Sequence, residues 1–225
     1  MIDNPFDIDR CLFSLQKKRP IFHSEADFQF ALSWEIKSHY PDANVRLEYC
    51  PSIPPNVHID ILLFYCNETI PIELKYKTAK LTFSLDNEDF NLKNHGAQDL
   101  GKYDFLKDVQ RLEDLSSCLS GFSKGYTVWL TNDTSYWNPP SRKNTVYEAF
   151  SIHQSAQKHG CMEWLPHAGA GTIKGREKPI TLNGTYVINW RNYSDIGCKK
   201  GIFVAGHAKR YFSLSRKTGV KPLRP

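Results

Sequence analysis

Residues 58–66 are the feature that most constrains the fold of this chain, because they are almost entirely apolar apart from Asp60. A run of this length and composition predicts a central β-strand. After a turn at Asn67-Glu68, apolar residues occupy every second position of a further strand: Ile70, Ile72, Leu74 and Tyr76. A hairpin of these two strands would bring Asp60 beside Glu73.

Helices and further strands are predicted on both sides of this hairpin. Ser24 is a typical helix cap, and Phe28, Leu32 and Ile36 recur at helical spacing up to Pro41. Residues 45–49 alternate as a strand, residues 86–95 indicate a polar loop, and residues 126–130 indicate a fourth strand. The second helix has an apolar stripe at Leu106, Val109, Leu112, Leu115 and Leu119. The predicted order is helix, three strands, helix, strand, which is typical of an α/β fold.

The 225 residues divide on this pattern into a core, residues 1–134, and a C-terminal extension, residues 135–225. In the extension, residues 146–158 predict a short helix, and residues 185–192 and 210–215 predict strands that could join the same sheet. Hydrophobic residues make up 40% of the chain, which excludes disorder for most of it.

The net charge of +5 is unevenly distributed. Beyond Asp195 there are eight basic residues and no acidic one, whereas the preceding residues have a net charge of −3. A basic end of this kind is either a contact for a nucleic-acid backbone or a solvated tail. The residues predicted to contact the backbone are Lys209, Arg210, Arg216 and Lys217.

Glu73 and Lys75 are two residues apart in a predicted strand and therefore project from the same face. Adjacent carboxylates such as Asp60 and Glu73 repel each other unless a cation lies between them, and oxygen ligands suit Mg²⁺ or Mn²⁺. The main-chain carbonyl of Leu74 and the carboxylate of Glu25, on the inward face of the first helix, could complete a metal site. Such an ion activates water and polarises a phosphoryl oxygen, and a neighbouring lysine can orient that water or offset negative charge.

Asp60 followed by Glu73-x-Lys75 on the next strand, in this order of elements, resembles the PD-(D/E)XK nuclease superfamily over residues 20–132. Ile59 replaces the proline that precedes the aspartate in the family's name. The resemblance implies a restriction-endonuclease-like core with a mixed central sheet flanked by helices, and hydrolysis of nucleic-acid phosphodiesters with a divalent metal. It also implies catalytic roles for Asp60, Glu73, Lys75, Glu25 and Gln98, and positions near the nucleic acid for Lys77 and Tyr103.

A second Glu-x-Lys triplet, at Glu35 and Lys37, is an internal comparison, since it lies in a predicted helix and is expected on a solvated surface. The expected function is therefore that of a Mg²⁺-dependent DNA endonuclease, with a symmetric dimer if both strands are cut. A catalytically silent nucleic-acid-binding module and an RNA-directed nuclease are the alternatives. The first ten residues contain Asp3, Asp7 and Asp9 and do not resemble a signal peptide, so a cytoplasmic location without a membrane partner is expected.

Overall fold

The computed structural model describes residues 5–52 and 57–211, which form an α/β fold built on a mixed seven-stranded sheet. The helices are α1 (Ile8–Lys18), α2 (Glu25–His39), α3 (Gln98–Leu115) and α4 (Ala170–Ile173). The strands are β1 (Asn44–Tyr49), β2 (Ile59–Tyr65), β3 (Glu68–Lys77), β4 (Leu81–Leu85), β5 (Glu88–Leu92), β6 (Tyr126–Thr131), β7 (Gln157–Met162), β8 (Ile180–Asp195) and β9 (Ile202–Tyr211). None of the described helices is long and apolar enough to cross a membrane.

The strands of the large sheet lie in the order β1-β2-β3-β6-β9-β8-β7. Neighbouring strands are antiparallel except for β3 and β6, which are parallel. A parallel pair requires a long crossover, and the β4–β5 hairpin together with α3 provides it. Strands β7, β8 and β9, which follow residue 135, pair into the same sheet as the strands of the first 134 residues.

The β2–β3 hairpin turns at Cys66 and Asn67, one residue earlier than the predicted turn. Both residues have positive φ, 49° and 62°, as a two-residue turn of this type requires. Its register pairs Tyr65 with Glu68 and Ile61 with Ile72. In this register, the N–H and C=O groups of the even-numbered residues of β3 point toward β2.

The two helices predicted around the hairpin pack on opposite faces of the sheet. Ser24 caps α2 by accepting a hydrogen bond from the N–H of Asp27, as its position in the sequence predicted. The helix buries Phe28, Leu32 and Ile36 against one face of β3, whereas α3 packs against the other face and the buried Trp129 of β6. The side chains of β3 therefore alternate between an α2 face and an α3 face.

Two local predictions were wrong, and a third is tested only in part. Within residues 86–95, where a polar loop was expected, residues 88–92 form β5 and pair with β4, because Asp86 and Asn87 both adopt positive φ and make a tight turn. Residues 146–158 contain only a 3₁₀ turn at Glu148–Phe150 before β7 begins. The first two residues of the strand predicted at 210–215 belong to β9, and residues 212–215 lie outside the described chain.

The second Glu-x-Lys triplet was expected on a solvated surface, and this prediction was wrong for Glu35. Its side chain is only 2% exposed, because α1 packs over α2 and covers this position. Lys18 of α1 donates to its carboxylate at 2.8 Å, and His39 lies at 3.0 Å. Burial acts to raise the pKa of Glu35, but the hydrogen bonds from Lys18 and Ser14 hold it below its ordinary value.

Candidate functional site

Strands β2 and β3 separate at the position where the sequence places its acidic residues. Their ladder ends at the pair Ile61 and Ile72, so Leu74, the next residue of β3 that faces β2, has no main-chain partner there. Beyond this pair, β3 continues beside β6 as far as Lys77. A gap, called here the β2–β3 gap, therefore opens along the edge of β3 from Glu73 onward.

Three titratable side chains occupy this unpaired edge of β3. The carboxylate of Asp60 accepts a hydrogen bond from the N–H of Leu74 at 2.5 Å. The carboxylate of Glu25, from the first turn of α2, accepts one from the N–H of Tyr76 at 2.7 Å. The Nδ1 atom of His95 accepts one from the N–H of Thr78 at 2.9 Å. Side chains thus replace the missing strand partner at every second residue, which satisfies backbone donors that would otherwise be unpaired.

Gln29 of α2 fixes β2 on the far side of the β2–β3 gap. Its amide group donates to the main-chain carbonyl of Asp60 and to the carboxylate of Glu48, each at 2.7 Å. Glu48 adopts a positive φ of 49°, and the β1–β2 register continues across it from Leu47 to Tyr49 without a shift. Gln29 and Glu48 therefore help to hold Asp60 in place.

Glu73 points from β3 toward α3 and is only 1% exposed. Arg111 of α3 donates to its Oε2 atom at 2.8 Å, whereas Oε1 has no hydrogen-bond partner among the described residues. Burial raises the pKa of Glu73 to about 9, against the effect of Arg111, and the nearby Asp108 and Asp60 raise it further. Without an added cation, the Glu73 carboxyl is therefore largely protonated at neutral pH.

Lys75 lies on the same face of β3 as Glu73 and forms an ion pair with Asp108 of α3 at 2.8 Å. Its ammonium group also donates to the main-chain carbonyl of Leu74 at 3.1 Å. Burial acts to lower the pKa of Lys75, but the Asp108 carboxylate overcomes this effect and raises it above its ordinary value. Lys75 is therefore a cation at neutral pH and has no free lone pair with which to act as a base.

Acidic groups outnumber basic groups around the gap. Burial raises the pKa of Asp60 above its ordinary value, and Glu25 and Glu48 act in the same direction, whereas the N–H of Leu74 and the ammonium of Lys75 oppose the shift. The carboxyls that act on Asp60 or Glu73 are Glu25, Glu48 and Asp108, and the cations that act on them are Lys75 and Arg111. This excess of negative charge favours binding of a cation.

The donor atoms at the gap fit a hard divalent ion in chemical type. They comprise the Asp60 carboxylate, the Glu73 carboxylate with its unpartnered Oε1, and the main-chain carbonyl of Leu74, which points into the gap. Among the described residues, no group of three or more His, Cys, Asp or Glu side chains is arranged to hold a metal ion. A metal at the gap would therefore depend on the Leu74 carbonyl and on solvent as well as on the two carboxylates.

Gln98 and Tyr103, the two residues of α3 expected near the site, make their contacts elsewhere. The Gln98 amide donates to Asp133 at 3.0 Å, beyond the end of β6. Tyr103 is 4% exposed, stacks on Trp164 and donates its hydroxyl to the carbonyl of Lys178 at 2.8 Å. The prediction that Tyr103 contacts nucleic acid is therefore corrected, because its ring is buried in the packing between α3 and the C-terminal region.

Asp108 and Arg111, three residues apart on α3, occupy the place beside Glu73 and Lys75. Sequence reasoning did not select them. A signal was present, since each lies four residues before a leucine of the apolar stripe, Leu112 or Leu115, and so near the buried face. Charged residues at the edge of a buried helix face require partners, and here they pair with each other and with β3.

The basic residues predicted to contact a nucleic-acid backbone have different positions. Lys77 ends β3 two residues after Lys75. Lys209 and Arg210 belong to β9, paired with Val187 and Tyr186 of β8. Arg216 and Lys217 lie outside the described residues.

Comparisons with known protein families, with curated proteins and with solved structures found no match for this chain.

Proposed function

We propose that this chain is a divalent-metal-dependent nuclease of the PD-(D/E)XK type, with α2 to β6 as its catalytic core. The observation that supports this most strongly is the β2–β3 gap. Asp60, Glu73 and the Leu74 carbonyl border it, and a protonated Lys75 lies 3.1 Å from that carbonyl. If Glu73 and Lys75 served only to keep the protein in solution, Glu73 would be expected on the surface, but it is only 1% exposed.

Asp60, Glu73 and the Leu74 carbonyl would hold Mg²⁺ or Mn²⁺. Such an ion, when bound, polarises a phosphoryl oxygen and lowers the pKa of its water. Lys75 would orient the attacking water and offset negative charge on the phosphate, since its raised pKa makes it a donor and not a base. Asp108 would keep the ammonium group of Lys75 in position through the 2.8 Å ion pair.

The proposed substrate is DNA, cut within the strand, and a symmetric dimer would serve cleavage of both strands. The excess of basic residues after Asp195 supports a polyanionic partner. Lys77, at the end of β3, is proposed to contact the phosphate backbone.

Cleavage of circular plasmid DNA with Mg²⁺ or Mn²⁺ tests this function. Wild type is expected to nick or linearise the plasmid, and Glu73→Gln and Lys75→Met are expected to lose this activity. Lys37→Met is the matched control, because Lys37 belongs to the other Glu-x-Lys triplet and, among the described residues, donates to the carbonyls of Pro41 and Ala43.

Each other result has a definite meaning. Equal cleavage by wild type and Glu73→Gln would refute the assignment of Glu73. Metal-independent DNA binding by a folded protein without cleavage would favour the binding module. Cleavage of RNA but not DNA in a parallel digestion would replace the proposed substrate.

A further inference from the structure

His95 is fixed at the end of the row of side chains that covers the edge of β3. Its Nδ1 atom accepts from the main-chain N–H of Thr78 at 2.9 Å, and the main-chain N–H of His95 donates to the carbonyl of Thr78 at 2.8 Å. The buried hydroxyl of Thr78 donates to the carbonyl of Lys93 at 2.7 Å. Three hydrogen bonds therefore hold residues 93–95 against the end of β3 before any ligand binds.

These contacts determine which ring nitrogen is free to bind a ligand. Because Nδ1 accepts the Thr78 N–H, the proton of the neutral ring lies on Nε2. The Thr78 hydroxyl oxygen also lies 3.1 Å from Nδ1, but its hydrogen is donated to the carbonyl of Lys93, so the main-chain N–H of Thr78 is the donor that fixes the tautomer. Within the described chain, the hydrogen bonds made by the His95 ring all use Nδ1, which leaves the Nε2–H group as a donor.

Lys77 and Lys93 are the two cations that act on the His95 ring. Lys77 lies one strand repeat beyond Lys75 on the same face of β3, at a spacing of roughly 7 Å, and Thr78 follows it directly. Burial and the Lys77 ammonium lower the pKa of His95, and Lys93 acts in the same direction, whereas hydrogen bonding with the main chain of Thr78 and the acidic Glu25 oppose them. The gap is thus acidic at Asp60 and Glu25, and basic at its other end.

We propose that His95 Nε2 and the ammonium of Lys77 form a subsite for a phosphate group, beside the metal-binding end of the β2–β3 gap. A neutral N–H donor next to a lysine suits a phosphate oxygen, because it adds a hydrogen bond without a second charge to desolvate. The subsite deepens the proposed function and rests on it in one respect, that the phosphate belongs to a nucleic acid. His95 is then a positioning residue that holds the phosphate next to the one attacked.

The first test uses inorganic phosphate and therefore does not require nuclease activity. In the full chain labelled with ¹⁵N, the His95 ring should be the neutral Nε2–H form, and its Nε2 signal should shift on titration with phosphate. Sodium chloride at equal ionic strength should not produce this shift, and Lys77→Gln should weaken it. An Nδ1–H ring, or an equal response to chloride, would overturn the proposal.

Paired substitutions at His95 provide the second test. His95→Asn keeps an acceptor near the Nδ1 position but removes the Nε2 donor. It should raise KM for DNA about tenfold, the equivalent of one hydrogen bond to a charged group, with kcat little changed. His153→Asn is the control, since His153 is also half-buried and its Nδ1 also bonds locally, at 2.9 Å, to Gln154.

The two hypotheses can fail separately. An unchanged KM for His95→Asn, in a protein whose wild type cleaves DNA and whose Glu73→Gln variant does not, would overturn the subsite and leave the nuclease standing. A phosphate-dependent Nε2 shift in a protein that cleaves no nucleic acid would support the subsite and remove the proposed function.

Discussion

Replacing Glu73 by glutamine is expected to stabilise the metal-free protein at neutral pH while abolishing its activity. The unfolded carboxyl has an ordinary pKa of 4.5, and burial raises the pKa in the folded protein to about 9. Between these values the folded state binds more protons than the unfolded state, so the contribution of Glu73 to stability falls as the pH rises. Glutamine has the shape of the protonated form and removes this dependence.

The magnitude follows from the interval between 4.5 and the working pH. At pH 7 and about 1.4 kcal/mol per pH unit, protonation of Glu73 on folding costs roughly 3 kcal/mol. The neighbouring Arg111 loses its potential anionic partner in the variant, which reduces the gain. We therefore expect Glu73→Gln to raise the free energy of unfolding by about 1–3 kcal/mol at pH 7, and by little near pH 4.

Glu35→Gln is a matched comparison with the opposite expected sign. Glu35 is 2% exposed, nearly as buried as Glu73, but its pKa is lowered through its pairing with Lys18, so its stabilising effect is present above the ordinary pKa and lost as the pH falls. Its replacement should cost about 1–3 kcal/mol at pH 7, the range for hydrogen bonds to charged groups.

Urea unfolding, followed by circular dichroism with EDTA present, measures both variants against wild type from about pH 4 to about pH 9. If Glu73→Gln is destabilised at pH 7 as Glu35→Gln is, Glu73 must be ionised and stabilised by Arg111. The reasoning from its burial would then be refuted.

Three further outcomes are expected. Mn²⁺ should raise the Tm of wild type more at pH 8 than at pH 6, because binding displaces the proton of Glu73, and thermal scans of Glu73→Gln should show no such increase. Burial lowers the pKa of Lys158 from 10.5 to about 8, so Lys158→Met should raise the free energy of unfolding in urea by about 1–2 kcal/mol at pH 7. Wild-type stability should rise between pH 8 and 10.5, because the cost of burying the charge disappears there. A variant whose stability rises with pH as steeply as that of wild type would contradict this. Gly206→Ala should lower the free energy of unfolding by about 1–3 kcal/mol, because the added Cβ would lie 2.5 Å from the ring of Trp190. Gly171→Ala is the control, since an added Cβ there meets no atom within 4 Å and should cause no clash.

Local chemistry made much of the site predictable. The cap at Ser24 and the helical spacing of apolar residues place Glu25 in the first turn of α2, as found. The apolar run containing Asp60 and the alternation around Glu73 and Lys75 predicted adjacent strands, and β2 and β3 are paired in a hairpin. These features depend on residues a few positions apart, so helix and strand periodicity was sufficient to find them.

Tertiary structure decided what these residues contact. Contacts between segments distant in sequence bring His95 to Thr78 and pair Asp108 with Lys75. The end of the β2–β3 ladder at Ile61 and Ile72 is likewise a feature of the assembled sheet. The burial of Glu35 under α1 has the same origin. No local periodicity records such contacts, because they arise only when separate elements compete to satisfy the same buried backbone and charged groups. The sequence by itself determined which residues could form a metal site, and the packing of α2, α3 and the β4–β5 hairpin around β3 decided which neighbours each of them received.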